Sequence, residues 1–219
     1  QDGAHVSYEY FGDPRLMLEL PEVPSRLLGE KTIIHAGSTA VLAAPALDRV
    51  GDAFSSTKAY RTIDPNPRPH LIDDAAAYRA SLREIMRYAD LIKLSAEDAD
   101  YLDPLGSPEV IADTLHQLSG ATVILTQAEQ PTILVHAGEL TKVRVEPVLP
   151  MDSTGAGDSF MASLLSDIAL STPPMSQVEW IPLVARASAA AGITCTRVGG
   201  AESMPNRMEV NLAAHTRSA

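Results

Sequence analysis

The stretch Asp152-Ser153-Thr154-Gly155-Ala156-Gly157-Asp158-Ser159-Phe160 runs straight into apolar positions at Phe160, Met161, Leu164, Leu165 and Ile168, the spacing of a helix. Its two glycines let a ligand approach the backbone closely, and the unpaired N–H groups of a first helical turn point outward at the positive end of the helix dipole. That combination makes an anion site. Asp158 lies in the same turn, where a carboxylate can take a proton from an attacking hydroxyl while the amides hold charge on a transferred phosphoryl group. The competing reading is an ordinary helix start with Asp158 favoured by the dipole. Gly-Ala-Gly between two aspartates is hard to account for as capping alone.

Other phosphate loops fit less well. No Gly-x-x-x-x-Gly-Lys-Ser/Thr occurs, which excludes a P-loop NTPase. A dinucleotide fingerprint needs a third glycine where Phe160 stands and an apolar strand where Pro147 and Pro150 stand.

Outward from this turn the chain alternates short apolar runs with helical patterns. Strands are expected at 32–34, 59–63, 91–94, 121–126 and 132–136, with 140–145 closing a hairpin on the last. Helices are expected at 39–54, 74–89, 95–101, 107–119, 156–170, 177–195 and 206–214. The apolar stretch 36–47 reads as helix. Pro65, Pro67 and Pro69 forbid helix in the loop that follows the second strand. The alternation predicts an α/β domain with a doubly wound, largely parallel sheet, whose ligands bind beyond the carboxyl ends of the strands.

The chain has 219 residues and a formal net charge of −11, from 28 acidic and 17 basic side chains. That length supports one core without staples. The acidic balance argues against nucleic acid as a partner, since phosphate-backbone recognition rests on clustered Lys and Arg. No apolar run approaches the roughly 18 residues that span a bilayer, so no membrane partner is expected. A single cysteine, Cys195, forms no internal bridge and suits a reducing, cytoplasmic location. The six histidines show no ligand spacing.

With these residues in hand, the chain resembles the ribokinase-like (PfkB) family of carbohydrate kinases. The 152–160 stretch is similar to that family's C-terminal signature. Asp64-Pro65-Asn66-Pro67-Arg68-Pro69 resembles the Asp-Pro-Asn-x-Arg-Pro loop of fructokinase-like and 2-keto-3-deoxygluconate-kinase-like members. Residues 92–98 resemble the Asn-x-x-Glu region, 123–130 the nucleotide loop and 196–201 the family's ending.

The resemblance implies an ATP-dependent kinase acting on a hydroxyl of a sugar or sugar acid. Asp158 would be the general base and Gly155, Ala156 and Gly157 the anion hole. Asn66 and Arg68 would lie by the sugar or phosphates. Ser95, Thr126, Gln127, Glu129, Gly157 and Ser188 would border the nucleotide. Asp98 would hold Mg²⁺ through water. Asp152, Thr154, Thr194, Gly199 and Ser203 would match the K⁺ site of many members.

Several positions depart from the family pattern. Ser95 and Asp98 stand for Asn and Glu, where a helix cap is an equal reading. Ala128 and Pro131 stand where the nucleotide loop has glycines, and Ser188 where a later helix has Asn. The family's N-terminal strand and Gly-Gly-x-x-x-Asn motif have no counterpart, so a fragment is expected. Residues 1–30 would be a lid remnant and connection, and 31–219 the nucleotide- and phosphate-binding core. The alternating stretch 6–11, with Tyr8 and Tyr10, reads as a returning lid strand through which a homodimer would form. Two other readings stand beside the sugar kinase: a nucleoside kinase of the same fold, and a non-catalytic binding protein derived from a kinase.

Overall fold

The computed structural model describes Pro24, residues 29–41 and residues 44–215. The expected lid strand at 6–11 lies outside the described residues. Six strands form one mixed sheet in the order β1-β2-β3-β4-β5-β6. They are β1 (Ile33–Gly37), β2 (Tyr60–Asp64), β3 (Leu91–Ser95), β4 (Thr122–Gln127), β5 (Gln130–His136) and β6 (Glu139–Val143). The first four are parallel; β5 and β6 are added antiparallel through tight turns.

Helices α1 (Ala44–Ser56), α2 (Ala75–Met86), α3 (Ala96–Leu102) and α4 (Pro108–Ser119) connect the parallel strands. Because the strand order advances in one direction, crossovers of one hand put all four on the same face. Helices α5 (Ala156–Leu170) and α6 (Gln177–Cys195) cover the other face, and α7 (Arg207–His215) follows. The sheet is thus buried on both sides, as its near-continuous apolar strands require.

Strand alternation assigns the faces. Ile34, Ile63, Ile92, Leu94, Val123 and Leu125 pack with α1–α4, while Ile33, Tyr60, Leu91 and Ile124 pack with Phe160, Leu164, Trp180 and Val184 of α5 and α6. Two steps further along each strand, the α5 face changes character. There it carries His35, Thr62 and Asp64, Lys93, and Thr126. Polar side chains therefore collect under the start of α5, at the carboxyl ends of the parallel strands.

The helix starts follow their caps. Asp74 accepts from the amides of Ala76 and Ala77, Ser107 caps α4 ahead of Pro108, and α5 and α6 have the expected bounds. One expectation fails. The stretch 36–47 is not helix at its start: Ala36 and Gly37 finish β1, a 3₁₀ turn spans Ser38–Val41, and α1 begins at Ala44. A Cβ on Gly37 would lie 2.1 Å from the Asp64 carbonyl oxygen, so glycine is what lets β1 pair this closely with β2 before Ser38 turns at φ 50°. A second 3₁₀ turn opens at Pro69, the last of the three prolines, where a missing N–H costs nothing.

Ala128, in the β4–β5 turn, sits at φ 48°, a conformation that strains an L side chain. Ala128→Gly is expected to raise stability by about 0.5–1 kcal/mol, relief of that strain exceeding the entropy lost by a glycine. Thermal unfolding of the two proteins checks it.

Candidate active site

Gly155 is the N-cap of α5, at φ 80°; a Cβ there would press on Met204 Cε at 3.1 Å and lie 3.6 Å from the Gly200 oxygen. The turn thus has a glycine because the conformation and the neighbours both exclude anything larger. Among the described residues the amides of Gly155, Gly157 and Asp158 donate to no protein acceptor, while Ser159 N begins the helical ladder at the Gly155 carbonyl. Ala156 is a correction to the expected anion hole. Its N–H donates to the Ser153 oxygen at 3.2 Å, a bond closed by the tight turn itself. The Asp158 side chain is exposed.

Two cavities flank this turn. One of about 280 Å³ is lined by Thr126, Glu129, Val145, Val148, Ala156, Gly157, Ser188 and Cys195, with mainly apolar walls. The other, about 410 Å³, is lined by His35, Gly37, Ser38, Asp64, Asn66, Asp158, Met161 and Leu165. Gly157 borders the first and Asp158 the second.

Under the turn lies a pair the sequence reading did not single out. Lys93 Nζ donates to Asp64 Oδ2 at 2.8 Å, with the two residues only 4% and 6% exposed. The β2–β3 register, Thr62 with Leu91 and Ile63 with Ile92, brings them side by side on the α5 face. A Cβ on Gly157 would come within 3.2 Å of Lys93 Nζ, so the ammonium sits against the first turn of α5. Burial pushes the Asp64 carboxyl above the usual carboxylate range; Lys93 pulls it back, and the charge of Asp158 adds to the effect of burial. The available signal was a lone lysine inside the apolar run Leu91-Ile92-Lys93-Leu94.

The other expected residues divide. Thr126, Glu129, Gly157 and Ser188 line the smaller cavity. Ser95 and Gln127 do not: Ser95 caps α3, and Gln127 Nε2 donates to the Pro131 oxygen at 2.7 Å. Asp98 takes part in a cap: its Oδ2 accepts from the Ser95 amide at 2.8 Å in a full capping box, and the residue is 6% exposed. Burial pushes its carboxyl upward. Arg68 is turned onto its own loop, donating to the Asn66 and Pro67 carbonyls at 3.0 and 3.3 Å and to the Asn66 side chain. It fixes Asn66, which at φ 37° lines the larger cavity; Arg68 is not part of that wall.

Of the expected K⁺ residues, Asp152 joins two loops, accepting from Thr154 N at 2.9 Å and from Gly199 N at 3.0 Å. Those bonds, that of Thr154 foremost, hold its carboxyl below the usual range. Ser203 Oγ donates to the Gly200 oxygen at 2.7 Å in the same loop. Thr194 does not fit a cation: it is buried in α6, its hydroxyl donates to the Ala190 oxygen and its carbonyl accepts from Arg197 N. No cluster of three or more His, Cys, Asp or Glu suited to a metal occurs among the described residues, and no described helix is long and apolar enough to cross a membrane.

The sequence pattern of the family described as "pfkB family carbohydrate kinase" matches residues 13–207. The chain belongs to that family. Among curated relatives, a fructokinase of Salmonella typhimurium is 25% identical over 182 residues, covering 81% of this chain and 59% of its own length. A probable fructokinase of Arabidopsis thaliana is 29% identical over 214 residues, covering 93% and 61%. The chain therefore spans about three fifths of both relatives. Among solved structures, a fructokinase of Vibrio cholerae with fructose, ADP and calcium superimposes with a TM-score of 0.79 at 22% identity, over 88% of this chain and 63% of that one. A ribokinase of Thermotoga maritima gives 0.71 at 21% identity, over 88% and 60%. These likenesses establish a ribokinase-type fold.

Removing Lys93 alone should leave a buried carboxylate without its counter-charge. Lys93→Met is expected to cost about 3–5 kcal/mol, whereas Asp64→Asn with Lys93→Met should recover most of that loss. Urea unfolding of the three proteins gives the order.

Proposed function

We propose that the chain is the catalytic core of an ATP-dependent sugar kinase. The observation that carries this reading is the pair of cavities divided by one helical turn that has free amides, with an exposed carboxylate on one side and an apolar wall on the other. Phosphoryl transfer asks mainly for in-line positioning and charge stabilisation, which such a partition supplies.

In this mechanism the smaller cavity takes the nucleotide. Its apolar lining suits a purine. Glu129 and Glu146 accept hydrogen bonds from hydroxyl or amino groups and repel phosphates, so the phosphate tail runs toward Gly157. The sugar occupies the larger cavity. Asp158 takes the proton of the attacking hydroxyl as its oxygen bonds to the γ-phosphorus, and the bond to the bridging oxygen breaks to release ADP. The Gly155 and Gly157 amides and the Lys93 ammonium hold the charge that develops on the transferred group.

Mg²⁺ supplies charge neutralisation on the nucleotide phosphates; a related structure carries ATP and Mg²⁺ together. Among the expected residues, Asp98 is the carboxylate that would hold the ion through water, and its Oδ2 already serves the Ser95 amide. A K⁺ ion, as in another related structure, would be held by the Asp152–Thr154 turn and the Gly199–Ser203 loop, where it would firm up the anion-binding turn.

Fructokinase relatives make D-fructose the first acceptor to test. In a coupled ADP-release assay of the full-length protein against hexoses, pentoses, keto-deoxy sugar acids and nucleosides, a hexose is expected to give the highest kcat/KM. Asp158→Asn should keep the native circular dichroism and lose about 10²–10⁴ in kcat. Near-native turnover in that variant would remove the base assignment.

A further inference from the structure

His35, in β1, belongs to the wall of the larger cavity and has no part in the transfer step. Its Nδ1 lies 3.0 Å from the Thr62 hydroxyl of the neighbouring strand. Thr62 is wholly buried and does not line the cavity, so the imidazole stands between that hydroxyl and the open space. His35 is exposed, whereas the next residue of the same strand, Ala36, is only 6% exposed; what water reaches at position 35 is mainly the ring. With Nδ1 turned back onto Thr62, the ring meets the cavity with its other edge, and Nε2 is the polar atom of that edge. Nε2 has no hydrogen-bond partner among the described residues.

The hydrogen-bond chain also sets the tautomer. The Thr62 hydroxyl has one proton, which it donates to the Ile34 carbonyl at 3.3 Å, so its oxygen accepts from His35 Nδ1–H. In the neutral ring Nε2 is then a bare acceptor. Charged groups face the imidazole from three elements: Asp158 of α5, Asp64 of β2 and Lys93 of β3. The protein packed around the ring on its closed sides holds the imidazole below its usual pKa; Asp158 draws it back up and Lys93 pushes it down again. The neutral form therefore prevails at neutral pH.

We propose that His35 Nε2 accepts a hydrogen bond from a second hydroxyl of the sugar, one other than the hydroxyl that is phosphorylated. His35 is thus a specificity-determining residue, and Thr62 is the positioning residue that fixes its tautomer. The proposal rests on the kinase reading above. It names the substrate class as a polyol, because Nε2 needs a donor, which a hydroxyl supplies and a methylene or an ionised carboxylate does not.

The test uses the full-length protein, the sugar with the highest kcat/KM and the set of its monodeoxy analogues, with Kd from calorimetry and KM from the coupled assay. In the wild type at about pH 7.5, one analogue is expected to bind about three- to tenfold more weakly, the range for a neutral hydrogen bond. Protonation turns Nε2 into a donor, so affinity is full above the His35 pKa and lost below it. The Kd of the parent sugar should rise by at least about threefold as pH falls through the His35 titration followed by NMR, while the singled-out analogue keeps one Kd. His35→Asn puts an amide on Thr62 and nothing at the place of Nε2. The parent sugar should lose the same factor there, KM for ATP should move less than about twofold, and the singled-out analogue should lose no more than about twofold further. His35→Gln carries an amide oxygen toward the place of Nε2 and does not titrate; it should recover most of the affinity and abolish the pH dependence. If neither variant folds, the wild-type comparison of parent and analogue across pH decides.

An unchanged Kd in His35→Asn would overturn the assignment, and this includes the case in which another segment of the full chain covers the ring. Additive losses for every analogue, or a pH dependence that persists in His35→Gln, would overturn it as well; each leaves the kinase reading standing. If no sugar turns over, the kinase reading falls by itself. D-fructose is then the calorimetric probe: coupled losses in its binding would uphold His35, and additive losses or no binding would overturn it too.

Discussion

A lysine and an aspartate held 2.8 Å apart, each almost wholly out of water, organise the carboxyl end of this sheet. Neither charge could be buried alone, since the desolvation of a single ion far exceeds what packing returns. Together they need β2 and β3 in one register, the α5 turn above them and the close β1–β2 contact at Gly37. The pair contributes little net stability. Its effect is to fix where the ammonium sits, against the backbone of Gly157, beside the cavity that Asp64 lines.

The face pattern of the strands explains how this is reached without a dedicated loop. The α5 side of the sheet is apolar near the strand starts, where Leu91 and Ile124 meet Trp180 and Phe160, and polar near the strand ends. Helix α5 is anchored by the first half, and its N-terminal turn overhangs the second. A rigid core therefore sets the height of the first turn of α5 above the polar groups, the kind of support that a preorganised site requires.

Much of this was legible in sequence because it is local. Glycine spacing at 155–157, the Ser107-Pro108 start of α4 and the apolar stripes of α5 and α6 depend on neighbours a few residues away, and the structure keeps them. The miss at 36–47 arose because apolar residues fit strand and helix alike, and only the approach of β1 to β2 decides for strand. The Asp64–Lys93 pair joins residues 29 positions apart through a strand register that no local pattern encodes. At Ser95 and Asp98 the local pattern alone was informative: Ser-x-x-Asp is complete as a cap, and the helix uses it so. Arg68 and Thr194 have suitable chemistry, but nearer partners engage them.

The turn that separates the two cavities has a further consequence for how such a protein can change. One turn borders both chambers, with Ala156 and Gly157 on one and Asp158 on the other, so a substitution that shifts its backbone reshapes both. Diversification toward new acceptors must then come from the opposite walls, at 35–38 and 64–66, leaving the helix start as the invariant hinge point between two evolvable compartments.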